Sequence, residues 1–327
     1  MHRNQKFMMA ALVLILLGLW LGRSNDPVQA TPNSVSQIGQ GVWFREGDLK
    51  GKGNCNNIWI EMKDYLIVVD ANFPNGAEAC LADIKKTSSK PVKYVFDTHH
   101  HGDHAYGNPV WTRQGATTLA YVGVVEEMKR YEPARWLDTA KTREDVAALN
   151  LPTAEPPQQT FSENKFVIED STHRVEFHFF GWAHTRGDGF VYLPKEKIIC
   201  TGDAVVNGPY NYMSDGNVGN WPDVINHALK LDVKTVLPGH GVPGSRDVLL
   251  GEKRFILELQ KSVHTAIKSG KKLEDLGTLK DGKLNSTALK LPESVANWVG
   301  DFFPSQVEAV YKEITLGKPA GEIYSGK

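Results

Sequence analysis

The segment Thr98-His99-His100-His101-Gly102-Asp103-His104 concentrates chemistry: residues 99 to 104 hold four imidazoles and a carboxylate. Imidazole nitrogen and carboxylate oxygen are the ligands that zinc and its first-row neighbours accept. His99 and His101 are two residues apart, so on an extended segment they point to the same side. Asp103 and His104 follow across Gly102, which lets the chain turn sharply. The spacing suits two ligands for one metal and then two for a second close by. His100 lies between ligands, is expected to face the other way, and is left out of the set.

The apolar, β-branched run Val92 to Phe96 reads as a buried strand that aims this cluster at one point. Three further stretches end a strand with a polar residue flanked by glycine: Gly181-Trp182-Ala183-His184-Thr185-Arg186-Gly187-Asp188, Cys200-Thr201-Gly202-Asp203 and Leu237-Pro238-Gly239-His240-Gly241. Glycine there lets the backbone bend and come close. Each is weak alone; with the first cluster they complete a ligand set for two metals. Asp70, at the end of the apolar strand Tyr65 to Val69, reads alone as a turn former.

The string His99-x-His101-x-Asp103-His104, followed in order by His184, Asp203 and His240, resembles the metallo-β-lactamase superfamily. Thr185, Gly187 and Asp188 after His184, the Leu237 to Gly241 string and Asp70 at its strand end fit that likeness, which runs from about Val42 to Pro243. The resemblance implies an α+β fold, an αββα sandwich with the site at one edge between the sheets. It implies that His99, His101 and His184 hold metal 1, that Asp103, His104 and His240 hold metal 2, and that Asp203 bridges them. Asp70 and Thr185 would support the ligands from outside. The implied cofactor is a pair of zinc ions, with iron or manganese as alternatives. Two cations lower the pKa of a bridging water and give hydroxide near neutral pH; Asp103 could orient this nucleophile, so it is the catalytic candidate. The chain has no GxSxG or SxxK string to supply another, and no phosphate loop or GxGxxG.

Fold leaves the substrate open. An aspartate at 203 resembles glyoxalase II, lactonases and sulfatases more than many β-lactamases, whereas export favours a β-lactam, the first guess among cyclic amides and esters. A lactonase or thioester hydrolase is the alternative. Another is an oxidoreductase resembling the sulfur dioxygenases, which hold one iron through two His and one Asp; the full ligand set here disfavours it. In the loop Gly208 to Trp221, Tyr210, Tyr212 and Trp221 could pack an apolar group of the substrate, and Asn211 or Asn217 could bind its carboxylate or carbonyl.

The remaining composition sets the frame. The chain has 327 residues, with 37 Lys and Arg against 38 Asp and Glu, which leaves no electrostatic footprint for nucleic acid and points to a small-molecule substrate. Residues 1 to 30 read as a secretory signal peptide: a basic start at His2, Arg3 and Lys6, an uncharged stretch from Phe7 to Gly22, and small residues at Val28 and Ala30. Cleavage after Ala30 would send the protein to a bacterial periplasm or beyond; uncleaved, the same segment would be its one membrane contact. Export permits disulfides, and of Cys55, Cys80 and Cys200 the first two could pair.

Strands are expected at Val42–Arg45, Ile58–Met62, Tyr65–Val69, Val92–Phe96, Thr117–Tyr121, 166–168, Val175–Phe179, Gly189–Leu193, 197–200 and Thr235–Leu237. Helices are expected at Ala77–Lys86, Val122–Arg130, Pro222–Leu231, Arg246–Ser269, Glu293–Phe303 and Ser305–Leu316. The alternation around His178 predicts a half-exposed strand, with His173 and His178 at the surface. The proline-rich stretch Tyr131 to Gln159 is expected to be loop, hanging over the site as a lid; its Trp136 could line a groove or pin the loop to the core. The catalytic domain is expected over 36–245, with 246–327 a helical extension packed on it.

Overall fold

The computed structural model describes residues 31–324; the expected signal peptide, 1–30, lies outside them. Two β-sheets face each other. In the first, β1 (Val35–Gly39), β2 (Val42–Arg45), β3 (Asn57–Glu61) and β4 (Leu66–Val69) form an antiparallel meander, and β5 (Val92–Asp97), β6 (Thr117–Tyr121) and β7 (Gln159–Phe161) continue it in parallel. In the second, β8 (Lys165–Glu169), β9 (Arg174–Phe179), β10 (Gly189–Leu193) and β11 (Ile198–Cys200) are antiparallel. There β12 (Thr235–Leu237) adds parallel to β11, and β13 (Gly244–Ser245) closes the edge. The expected strands are present, with ends shifted by a residue or so.

Period-two sorting of side chains builds the layers. Ile58, Ile60, Ile67, Val69 and Phe96 of the first sheet meet Val191, Leu193, Ile198, Cys200 and Leu237 of the second. The alternate residues Trp59, Leu66, Val68 and Val95 face outward onto α1 (Pro74–Thr87) and onto Val110 and Trp111. On the other side, Phe190, Tyr192, Ile199 and Val236 face α7 (Trp221–Leu229) and α8 (Asp247–Lys268). Helix, sheet, sheet and helix therefore stack as an αββα sandwich. Both faces of each central strand are covered, as expected for strands joined by helical crossovers.

That double burial corrects the reading of His178 and His173. Both are buried. His178 Nε2 lies 3.0 Å from Glu176 Oε2, and His173 Nδ1 lies 3.0 Å from Glu196 Oε1. Alternation placed them in water, but His178 is covered by the Phe180 ring, which stacks in turn on His227 of α7, and His173 is covered by the turn carrying Glu196.

Between β5 and β6 lie α2 (Gly102–Ala105) and α3 (Asn108–Thr112). Between β6 and β7 lie α4 (Val122–Tyr131), α5 (Ala134–Ala140) and α6 (Glu144–Ala147), so the expected loop carries two short helices. Trp136 is buried; its indole N–H donates to Leu151 O within the same segment, and its ring packs edge-on against Tyr106 at 4.9 Å, which pins the segment to the body. After α8, β14 (Gly277–Lys280) and β15 (Lys283–Thr287) form a hairpin, residues 293–298 form a 3₁₀ turn where a helix was expected, and α9 (Phe303–Leu316) and α10 (Ala320–Ile323) end the described chain. Val295, Phe303, Val307 and Val310 join the same apolar cluster as α7 and α8. The three cysteines are buried and free, so Cys55 and Cys80 do not pair. No helix among the described residues is long and apolar enough to cross a membrane.

Candidate metal centre

Five strands deliver the polar cluster, each from its C-terminal end. Strands β4 and β5 run parallel and end at Asp70 and at the histidine segment. Strands β9, β11 and β12 share one direction, because β9 and β11 are each antiparallel to β10 and β12 is parallel to β11. They lead into His184, Asp203 and His240. Carboxyl ends of strands are where open sheets collect ligands.

The histidine segment is not a strand. Extended structure stops at Asp97, and residues 98 to 101 form bends before α2. His99 and His101 still converge, with His99 Nε2 3.1 Å from His101 Nδ1, which in turn lies 3.0 Å from His184 Nε2. In the second group, His240 Nε2 is 3.0 Å from Asp103 Oδ2 and 3.4 Å from His104 Nε2. Asp203 sits between the groups: its oxygens lie 3.4 Å from His104 Nε2, 3.3 Å from His240 Nε2 and 3.9 Å from His184 Nε2. All seven ligand candidates are thus brought together, in the sets His99-His101-His184 and Asp103-His104-His240 with Asp203 reaching both.

The close approach depends on glycine. A Cβ on Gly239 would stand 2.2 Å from Asp203 Oδ1, and one on Gly202, which adopts φ +49°, would stand 2.4 Å from Thr98 Oγ1. The Asn56 side-chain amide donates to Pro238 O and Gly241 O and so clamps the backbone around His240.

The outer hydrogen bonds set the tautomers. His101 Nε2–H donates to Asp215 Oδ2 at 2.8 Å, and His184 Nδ1–H donates to Tyr212 O at 2.8 Å. Their other nitrogens, Nδ1 of His101 and Nε2 of His184, then face each other and His99 Nε2 as lone pairs. Burial, followed by the neighbouring imidazoles, pushes His99 well below its usual range and His184 down to about 3, so these rings are neutral. The lone pairs of His101 Nδ1 and His184 Nε2 face each other at 3.0 Å with no hydrogen between them, and His99 Nε2 lies 3.1 Å from the first; two facing lone pairs repel unless a cation lies among them, so the residues fit a metal ion.

The second group is electrostatically different. Burial would lower the pKa of His240, but Asp203 and Asp103 outweigh it and hold the ring up at about 9. His104 behaves likewise: burial would lower it, and the carboxylates around it, Asp70, Asp103 and Asp203, push it well up. Without metal this half is an ion-pair cluster in which protons occupy the place of a cation.

Asp70 does more than form a turn. In a left-handed conformation, φ +67°, it accepts His104 Nδ1–H on Oδ2 at 2.9 Å and the Thr98 N–H on Oδ1 at 2.8 Å. It therefore points His104 Nε2 at the second group. Asp70→Asn removes the charge behind that ring and is expected to weaken zinc binding there by roughly 10- to 100-fold, read by competition with a chromophoric chelator. Thr185 acts further out: its hydroxyl and N–H donate to Asp188 and hold the loop carrying His184.

The centre forms the floor of a cavity of about 420 Å³, bordered by Asp103, Asp203 and His240 and walled by Phe73, Tyr106, Tyr210, Tyr212 and Phe302. Tyr210 and Tyr212 border the cavity as expected. Trp221 does not: it is fully buried at the start of α7, its indole N–H donates to Ala204 O, and it packs in the core. Asn211 is likewise withheld from any ligand, since its side-chain amide donates to Glu252 of α8 and both are fully buried.

Burial holds the Glu252 carboxyl well above its ordinary value of 4.5. The folded state therefore keeps a proton that the unfolded chain releases, and stability falls as pH rises above that value. Glu252→Gln is expected to match the parent near pH 4.5 and to exceed it at pH 8 by at least about 1 kcal/mol, the worth of one pKa unit, in denaturant titrations at the two pH values.

The residues that the sequence reading missed are Asp215, behind His101, and Arg135, which binds Asp215 from α5. Asp215 lies inside the loop already singled out, within a Ser-Asp-Gly string that reads as a turn; Arg135 carries no local signal.

Comparison with known proteins places these features in a family. A family model described as the metallo-beta-lactamase superfamily matches residues 51–240, more than half of the chain. The metallo-beta-lactamase type 2 of Bacillus sp. (strain 170) is 25% identical over 228 residues, covering 66% of this chain and 79% of that protein. Its counterpart from Bacillus cereus is 25% identical with 66% and 80% covered. Ribonuclease Z of Latilactobacillus sakei subsp. sakei (strain 23K) is 27% identical over 176 residues, with 49% and 55% covered. Among solved structures, a metallo-beta-lactamase from Pontibacter korlensis superposes with a TM-score of 0.56 at 22% identity, over 68% of this chain and 98% of that one. The DIM-1 metallo-beta-lactamase gives 0.57 at 19% identity, over 70% and 99%.

Proposed function

This chain belongs to the metallo-beta-lactamase superfamily and is a metal-dependent hydrolase; on that premise we propose that it is an exported dinuclear zinc enzyme that opens a cyclic amide or ester. The observation that carries the proposal is the convergence of seven ligand side chains, four of which, His101, Asp103, Asp203 and His240, border one aromatic-walled cavity. In this reading His99, His101 and His184 would hold one ion, Asp103, His104 and His240 would hold the other, and Asp203 stands within reach of both groups. Zinc in such a site lowers the pKa of water toward neutrality and polarises an acyl oxygen.

The protein's own groups supply the rest. Asp103 is the most exposed of the three carboxylates, Asp70, Asp103 and Asp203, at 22% against 1% and 8%, and borders the cavity. It is therefore the group placed to orient an attacking water and to accept a proton from it. Asp70 and Asp215 fix the rings of His104 and His101, so the site is organised before substrate arrives. The side chains of Tyr210, Tyr212 and Phe302 offer an apolar flank for the ring being opened. No serine or cysteine lines the cavity among the described residues, which supports water as the nucleophile.

A β-lactam is the first substrate to test, supported by the likeness to two Bacillus enzymes named metallo-beta-lactamase type 2. The test is the metal content of protein purified without chelator, joined to hydrolysis of a chromogenic cephalosporin. About two zinc ions per chain with turnover is the expected result. Two zinc ions without turnover retire the β-lactam and move the assay to lactones and thioesters, and about one iron per chain overturns the dinuclear hydrolase. Export is read from the mature N-terminus, expected at Thr31.

A further inference from the structure

A charged pair, the half-buried Arg135 and the buried Asp215, stands outside both metal groups. Asp215 is 1% exposed and accepts three donors: His101 Nε2–H at 2.8 Å, Arg135 Nη1–H at 2.7 Å and Arg135 Nη2–H at 2.9 Å. Arg135 Nη1 also lies 3.2 Å from His100 Nε2, and its guanidinium stacks 3.6 Å over the Tyr131 ring. Tyr131 stacks in turn on His100, with ring centres 5.2 Å apart and planes 9° from parallel. The backbone carbonyl of Asp215 accepts the Trp182 indole N–H, which anchors its loop.

By distance alone His100, His101 and Asp215 resemble a third metal group. The guanidinium already occupies the cation's place there, so they are not one. The two-pronged arginine does what a metal would do: it neutralises a buried carboxylate that would otherwise be costly and fixes its plane. With Asp215 fixed, His101 keeps its proton on Nε2 and presents Nδ1 to His99 and His184.

Arg135 does not belong to the body of the sandwich. It sits on α5, within the segment between β6 and β7, and α5 also lends Asp138 and Thr139 to the cavity wall. We propose that Arg135 is a positioning residue that latches the α5 wall to the metal ligand His101 through Asp215, so that metal binding and ordering of the wall strengthen each other. The latch rests on the reading of His99, His101 and His184 as a metal site. The coupling is reciprocal: whatever the wall adds to metal affinity, the metal returns to the wall.

The test uses the full mature chain with zinc as the probe. Competition against a chromophoric chelator reads the two affinities in the parent, Arg135→Met and Arg135→Lys. Arg135→Met is expected to weaken one of the two ions by 10- to 100-fold and to leave the other within about twofold. Arg135→Lys, which keeps the charge and loses the fork, is expected to fall between. Hydrogen exchange over residues 134–140 supplies the second readout: in the parent, chelation should speed exchange there, and in Arg135→Met exchange should be fast with or without zinc. Both affinities unchanged in Arg135→Met, or α5 exchange in the parent indifferent to zinc, overturns the latch while leaving the hydrolase reading intact. A parent that binds no zinc overturns that reading and the latch together. Should Arg135→Met fail to fold, exchange in the parent with and without zinc still decides.

Discussion

Alanine in place of Asp203 is expected to leave a folded protein with about one zinc ion per chain instead of about two, and to cut kcat/KM by at least a thousandfold. The expectation follows from what the carboxylate faces. It lies within 3.4 Å of both imidazoles of the second group and 3.9 Å from one in the first, and among the described residues no other carboxylate lies within 4 Å of imidazoles in both groups. Asp203 Oδ1 is buried without a hydrogen-bond partner, an expensive state that a bound cation relieves. With Asp203 gone, the second group retains only Asp103 as an anionic ligand. A thousandfold loss corresponds to about 4 kcal/mol of transition-state stabilisation, a modest demand for a group that holds two ions in register. The fold should survive, because Asp203 follows β11 on a short turn and takes no part in the core clusters. Elemental analysis, steady-state kinetics and a thermal melt on one preparation decide the matter; two zinc ions with unchanged turnover would sink the bridging role. Gly239→Ala offers a control from the other side, since its methyl would meet Asp203 Oδ1 and should also lower turnover without removing a ligand.

The centre was legible because its ligands are few residue types set at strand ends. His99, His101, Asp103 and His104 announce themselves within one segment, and His184, Asp203 and His240 each follow an apolar run and sit beside glycine. The layers were legible for a related reason: pleating sends Ile58 and Ile60 one way and Trp59 the other, whatever the rest of the chain does. The failures share a cause in distance. Asp215 and Arg135 are 80 residues apart and acquire meaning only when the fold joins them. Trp221 was read from its place in a polar loop, whereas it is the first residue of an amphipathic helix and its ring is drawn into the core. His178 was misjudged because alternation assumes one wet face, and this sheet has none at that point. Even the convergence of His99 and His101 came about by a bend before α2 rather than by the expected strand.

Removal of metal is expected to lower the melting temperature by roughly 15 °C or more, and by more at pH 9 than at pH 6. A ligand present at a thousand times its Kd stabilises the folded state by about 4 kcal/mol, and two such ions by about 8. In a domain of this size each kcal/mol moves Tm by roughly 2–4 °C. The pH term comes from the metal-free protein. Its His240 is held at about 9, above the ordinary 6.5, by Asp203 and Asp103 against the opposing effect of burial. A raised histidine contributes stability that is whole below 6.5 and is lost as pH climbs through the folded value. At pH 6 the metal-free centre is therefore held together by protonated imidazoles among Asp70, Asp103 and Asp203. As pH climbs toward 9 the His240 proton is progressively lost, and Asp103 and Asp203 face each other with less positive charge between them. Zinc-loaded protein has no such dependence at these ligands, because the ions have already displaced the protons. The gap between loaded and chelated melting curves should thus widen over that interval. An equal gap at both pH values would show that the second group does not exchange protons for metal, and its assignment as a zinc site would fall with it.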